Sequence, residues 1–317
     1  MELGHVVVLA GGLSYEREVS QRSGRRVAEA LRAVDVPVEL RDADATLLDA
    51  LSNDPPDAVL PVLHGAAGED GSIRDVLELM GVPYVGARPD ACRVSWDKPT
   101  AKAVVRQAGL STPESVALPK EIFHDLGASS VLDHIIRRLG LPLFVKPTRG
   151  GSALGGSIVQ QATDLPAAMV GCFAYGDSAL VEQYIPGIEI AVSVIERDGV
   201  PHALPAVEIV APGGRYDYTA RYDAGDTEFI TPARLTPEAA ERATRAAVTA
   251  HRALGLRDLS RTDLIIDADG EPHFLEVDVA PGMTETSLFP RAISAAALDL
   301  GTILREMLIA AASGAPR

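Results

Sequence analysis

Short apolar runs separated by amphipathic stretches of helix length set the rhythm of the first third of the chain. Val6 to Ala10 is continuously apolar and closes on Gly11-Gly12, and a helix-like stretch then runs to about Val34. Val36 to Arg41, Ala58 to Leu63 and Val82 to Gly86 read as further short strands, with helix-like segments at Ala43 to Leu51 and Ser72 to Met80. Strands alternating with helices predict a small parallel sheet whose ligand lies at the strands' C-terminal ends. The glycine turn lacks G-x-G-x-x-G, which weakens a dinucleotide reading. After the third strand comes the polar loop His64 to Gly71, where a histidine can orient a substrate group or simply cap the next helix.

Trp96-Asp97-Lys98 opens a helix to Ala108, which Gly109 to Pro113 breaks, and a domain boundary falls near here. Leu141 to Pro147 reads as a strand ending in Lys146, and the loop from Thr148 to Ser157 carries four glycines whose amides can wrap phosphate. It is not a Walker A loop, since no Lys-Ser/Thr pair follows its last glycine. A plain glycine-rich turn is the other reading. Ala179 to Ile185 and Ile188 to Val194 are apolar and alternating strands; backbone of the first could read an adenine edge, and Glu189 could accept from ribose hydroxyls. Gly213 to Asp223 is polar and aromatic, which suits a loop closing over a site, and Pro237 to Leu254 is a helix.

Within Arg261 to Asp278, two β-rich runs flank Asp269-Gly270, a signal for a two-residue hairpin turn. That turn would set Ala268 opposite Glu271, Ile266 opposite His273, Asp263 opposite Glu276 and Arg261 opposite Asp278. Leu264, Ile266, Leu275 and Val277 then form a core face, and Arg261, Asp263, Glu276 and Asp278 gather on the other. Like charges about 4 Å apart repel by roughly 4 kcal/mol at an effective dielectric near 20. A guanidinium balances one carboxylate, and the remainder suits a hard divalent cation with oxygen ligands, or else a solvated polar face. Mg²⁺ commonly completes its shell with substrate phosphate, so the metal reading calls for a nucleotide nearby.

The 317 residues suffice for two or three domains, and 47% hydrophobic content makes the chain globular. A formal charge of −15 argues against a nucleic-acid or anionic-membrane surface, so any anion must be held locally. Cys92 and Cys172 lack metal-ligand spacing and read as buried apolar residues. No signal peptide or membrane span is evident, which gives a cytoplasmic expectation.

In order, Gly11 to Ser20, Leu63-His64-Gly65 with Gly68-Glu69-Asp70-Gly71, Asp97-Lys98, Val145-Lys146-Pro147, Tyr216-Asp217-Tyr218, Glu276-Val277-Asp278 and Pro281 to Thr284 are together similar to the D-alanine–D-alanine ligases of the ATP-grasp family. The resemblance implies an α/β (α+β) fold of three domains: a parallel-sheet substrate domain at 1–95, a central domain at 96–183 and a C-terminal domain at 184–317. It implies ATP, with phosphates on Lys98 and Lys146, adenine at Glu182, Tyr184 and Ile185, and ribose on Glu189. Asp263, Glu276 and Asp278 match metal-ligand positions for two Mg²⁺ ions, or Mn²⁺. Glu16 would hold the first D-alanine's ammonium, with His64 by its carboxylate. Arg261 and the Gly282 amide would stabilise the oxyanion, and Ser287 with Leu288 would hold the second carboxylate. Glu16, Ser152 and Tyr222 match a trio that closes the lid. Small-molecule substrates and a homodimer follow from the same resemblance.

Three positions depart from the family: Arg221 for a lysine that contacts ATP, Ala153 for a serine, and Asp278 for an asparagine. The reading they qualify is an ADP-forming ligase supplying D-Ala-D-Ala for peptidoglycan. Its alternatives are an ATP-grasp ligase joining other amino acids in a biosynthetic or resistance pathway, and an ATP-binding regulatory protein. Tyr222 favours a dipeptide over a D-alanyl-D-lactate product.

Overall fold

A computed structural model of the chain describes residues 2–151, 154–211 and 227–314. Strands β1 (Val6–Ala10), β2 (Val38–Asp42) and β3 (Ala58–Pro61) form the expected parallel sheet in the order β2-β1-β3. Helix α1 (Arg17–Arg32) follows β1 and buries Val27, Ala28 and Leu31 against the sheet's core. Val82 to Gly86 contributes only one bridge, Val59 to Tyr84, rather than a fourth strand. Pro83 has no N–H to donate, and Gly86 at φ 109° turns the chain away.

The second sheet is antiparallel, with β4 (Ser115–Pro119), β5 (Leu143–Pro147), β6 (Ser157–Val159) and β7 (Ser178–Gln183) in the order β4-β7-β5-β6. It has its own core, in which Val145 and Val181 meet Ile135, Leu165 and Cys172. The third sheet runs β11-β10-β8-β12-β13 from β8 (Ile188–Arg197), β10 (Val207–Val210), β11 (Glu228–Ile230), β12 (Leu259–Ile266) and β13 (Pro272–Asp278), and β9 (Val200–Ala203) pairs with β8. One hydrophobic cluster joins this sheet to the first through Phe289, Leu304 and Leu308 of the last two helices. The helix expected from Trp96-Asp97-Lys98 to Ala108 runs Lys98–Gln107, and a further helix, Pro89–Trp96, precedes it. The Asp97 carboxylate accepts the Thr100 N–H at 3.1 Å and so caps the later of the two. Among the described residues no helix is long and apolar enough to cross a membrane.

The β12–β13 hairpin departs from the expected register near its turn and rejoins it at the charged end. Asp267 accepts from the amides of Asp269 and Glu271 at 3.0 and 2.9 Å, which winds a three-residue turn closed by Gly270 at φ 74°. Ile266 therefore faces Pro272, Ile265 faces His273 and Leu264 faces Phe274, correcting the Ile266–His273 and Ala268–Glu271 pairings. A bulge at Leu275 then restores Asp263 opposite Glu276 and Arg261 opposite Asp278, as expected. Phe274, 1% exposed, takes the core position assigned to Leu275.

Gly68 sits where a Cβ would lie 1.8 Å from the Leu63 carbonyl oxygen, beneath the His64 loop. Gly68→Ala should therefore cost at least about 2 kcal/mol in denaturant unfolding. Gly171→Ala, inside a helix with nothing near the added methyl, should be neutral or stabilising.

Candidate active site

Two pockets meet on the charged face of the hairpin, and Glu276 lines both. The larger is a cleft of about 390 Å³ between the second and third sheets. Phe144, Tyr184, Ile185, Ile265 and Leu275 give it apolar walls, and Lys146, Glu182, Glu189 and Asp263 polar ones. The bulge is what lets Leu275 and Glu276 both face this cleft. The smaller pocket, about 70 Å³, is bounded by Glu16, His64, Lys98, Arg261, Asp278, Gly282, Ser287 and Leu288.

Charge in the cleft is organised by a buried carboxylate between two ammonium groups. Glu182, 2% exposed, accepts from Lys146 Nζ at 2.8 Å and is hydrogen-bonded to Lys102, which is 1% exposed. Burial opposes the Lys146 charge, but Glu182 and Glu276 outweigh it and hold its pKa above the ordinary value. Burial likewise works against Glu182, yet the two lysines keep its carboxyl below the usual range. Burial wins at Lys102 and brings it down to about 8, because one carboxylate must serve two cations. The Glu182 side chain thus belongs to the lysines, whatever its backbone offers an adenine. Lys102 escaped the sequence reading, although it lies one helical turn beyond Lys98 on the same helix.

Lys98 Nζ donates to the Gly150 carbonyl at 2.6 Å and lies 3.5 Å from Glu276, tying the glycine loop to the charged face. Arg261 donates from Nε and Nη2 to the two oxygens of Asp263 at 2.7 and 2.9 Å, and from Nη1 to Asp278 at 3.0 Å. This planar fork takes up two of the three carboxylates. Among the described residues no three His, Cys, Asp or Glu side chains are grouped closely enough to hold a metal ion by themselves.

Glu16 packs against the glycine loop, since a Cβ on Gly151 would lie 3.3 Å from its Oε2. At Gly282 a Cβ would lie 2.8 Å from Ser287 Oγ, so glycine allows that hydroxyl its close approach. Ser287 Oγ accepts the Thr284 N–H at 2.9 Å and precedes the helix Leu288–Ala295. His64 neither caps a helix nor presents a ring nitrogen to the pocket. Its Nδ1 is 3.0 Å from the Ala280 carbonyl and its Nε2 is 3.1 Å from Ser23 Oγ. Burial lowers its pKa and favours the neutral ring. Glu69, which the sequence offered only as part of a motif, also lines the small pocket. Burial and then Asp278 and Glu16 push its carboxyl well above its ordinary value. Ser152, Ala153, Arg221, Tyr222 and the Tyr216–Tyr218 segment lie outside the described residues.

The D-ala D-ala ligase C-terminus family matches residues 104–309, and its N-terminus counterpart matches residues 41–87. The chain belongs to the D-alanine–D-alanine ligase family. A D-alanine–D-alanine ligase of Bordetella petrii is 39% identical over 98% of this chain and 93% of that protein. One from Moorella thermoacetica is 38% identical over 96% of this chain and 97% of its own. Among solved structures, the VanG D-Ala:D-Ser ligase of Enterococcus faecalis aligns with a TM-score of 0.83 at 29% identity, covering 98% of this chain and 100% of that one. A D-alanine–D-alanine ligase of Bacillus anthracis gives 0.81 at 29% identity over 99% and 98%. The three-sheet arrangement is accordingly the ATP-grasp fold of this ligase family.

The shared carboxylate makes an unequal prediction. Glu182→Gln leaves two buried cations unpaired and should destabilise this family member by about 3 kcal/mol or more. Lys102→Met leaves a balanced Glu182–Lys146 pair and should cost clearly less, as measured by denaturant unfolding of both variants.

Proposed function

We propose that this protein joins two D-alanine molecules at the expense of ATP, releasing ADP and phosphate. The observation that carries the reading is the position of Glu276, which lines both the apolar cleft containing Lys146 and the polar pocket containing Glu16, Arg261 and Ser287. A nucleotide in the cleft would thereby meet a small zwitterionic substrate at one carboxylate. Adenine would lie along Glu182, Tyr184 and Ile185, the ribose by Glu189, and the phosphates by Lys146 and Lys98. Arg221 and Ser152 would join them by family position.

The donor set of Glu276, Asp278 and Asp263 is all carboxylate oxygen, which fits Mg²⁺ arriving with phosphate rather than a closed protein cage. When bound, Mg²⁺ would neutralise the charge of the transferring phosphoryl group. The protein's part is positioning. Glu16 would hold the first substrate's ammonium so that its carboxylate oxygen attacks the γ-phosphorus and ADP departs. The second substrate, its carboxylate held at Ser287 and Leu288, would attack the acyl carbon through its amine, and phosphate would leave. Asp263 and Asp278 orient the Arg261 plane towards the pocket it lines, where with the Gly282 amide it would meet the oxyanion. Glu16, Ser152 and Tyr222 would close the site. The product would be the D-Ala-D-Ala unit of peptidoglycan.

One observation favours a second reading, that another amino acid is the acceptor. Among solved structures, the VanG D-Ala:D-Ser ligase of Enterococcus faecalis aligns as well as the D-alanine–D-alanine ligase of Bacillus anthracis. ADP release with ATP and Mg²⁺ should be measured against D-alanine, D-serine, D-lactate and L-alanine, singly and in pairs, with products identified by mass. Dipeptide from D-alanine alone is the expected result; ADP release that needs D-serine would replace it with the second reading. Glu276→Gln should reduce turnover by more than about a hundredfold, about 2.7 kcal/mol, with the fold retained by circular dichroism. Undiminished turnover would remove the metal assignment.

A further inference from the structure

The turn that presents Gly282 is fastened at both ends to one buried pair of side chains. His64 is 5% exposed and Ser23, on α1, is fully buried, so little water competes for their bonds. The Ala280 carbonyl only accepts, so the His64 nitrogen 3.0 Å from it, Nδ1, carries the proton. In the neutral ring Nε2 is then the acceptor, and Ser23 donates its single hydroxyl proton to it across 3.1 Å. Ser23 Oγ in turn accepts the Met283 N–H at 3.1 Å. Ala280 and Met283 bracket Pro281-Gly282, so one histidine and one serine set the separation and tilt of this turn.

The pair reaches it from the N-terminal sheet. Ser20, about one helical turn before Ser23, donates to the Val62 carbonyl at 2.6 Å and accepts the Gly11 N–H at 2.8 Å. Helix α1 is thereby tied to the ends of β1 and β3, and Arg26 adds a bond to the Thr284 carbonyl just beyond the turn. Glu16 lies immediately before the same helix.

We propose that Ser23 is a positioning residue for acyl transfer: through His64 and the Met283 amide it holds the Gly282 N–H where the tetrahedral oxyanion forms. This rests on the ligase reading and assigns no contact between Ser23 and substrate. His64 acts in the same way, from behind the turn. The effect falls on the second chemical step, because that is where the Gly282 N–H meets the oxyanion, and neither Ser23 nor His64 lines the cleft that would hold the nucleotide. A displacement of about 1 Å at such a donor can cost about a hundredfold in rate.

The test uses the full-length protein and follows the two steps separately. Positional isotope exchange in ATP with D-alanine reads acylphosphate formation, and dipeptide release reads acyl transfer. Ser23→Ala should lower kcat for dipeptide by about ten- to a hundredfold. It should keep isotope exchange and the KM for ATP within about twofold of the parent, and Ser23→Thr, which retains the hydroxyl, should recover most of the loss. Unchanged kcat in Ser23→Ala overturns the proposal. So does a fall in exchange, ATP affinity and melting temperature together, which marks a general structural role. Should Ser23→Thr unfold, Ser23→Cys keeps the volume with a weaker donor and should fall between serine and alanine. Absence of D-amino-acid-dependent ADP release in the parent would instead sink the ligase reading itself.

Discussion

Three carboxylates on one face of a hairpin cannot coexist without cations, and the protein's architecture follows from supplying them. Arg261 comes from the hairpin itself and engages Asp263 and Asp278, while Lys98 arrives from a helix ahead of the second sheet to lie by Glu276. The two cations belong to different layers. Bringing them to one face is what places the apolar cleft and the polar pocket edge to edge. A guanidinium suits the inner position because its fork matches a carboxylate and keeps its charge when buried.

The N-terminal layer contributes rigidity to this face besides the carboxyl groups of Glu16 and Glu69. Its hydrophobic core is continuous with that of the last two helices, so α1 and the C-terminal turn are packed against one core. Polar contacts can then be set with little freedom. Gly68 lies in contact with the Leu63 carbonyl, fixing the loop that delivers His64, and His64 has both nitrogens committed inside the protein. A histidine beside a pocket invites a role on substrate. Here its two partners make it a spacer between layers.

Much of this was legible in the sequence because alternation and turn chemistry are local. The parallel order of the first three strands, the charged face of the hairpin and the pairing of Asp263 with Glu276 all follow from residue spacing. The path to that last pairing did not. Asp267 draws the turn into three residues, and Leu275 then bulges by one, so two opposite shifts restore the register at the site. Neither shift can be seen in an Asp-Gly pair alone. Ser23 and Lys102 were illegible for another reason: each looks like an ordinary helical polar residue until a strand or loop remote in sequence closes over it. Position on a helix says which face a side chain is on, not what will be packed there.

An acidic chain that must accept a polyanion has to keep its lysines charged where burial would discharge them. Lys146 retains its proton because Glu182 is ionised beside it, and Glu182 stays ionised in the interior only because two lysines share it. Lys102 bears the consequence, with a pKa brought down to about 8. Glu276 and Asp263 of the hairpin add to the support of the Lys146 charge, whereas Glu182 is the carboxylate that supports Lys102. The arrangement therefore spends the weaker cation to secure the stronger one: a buried ion triad adds little stability by itself, but it fixes which lysine keeps a full positive charge.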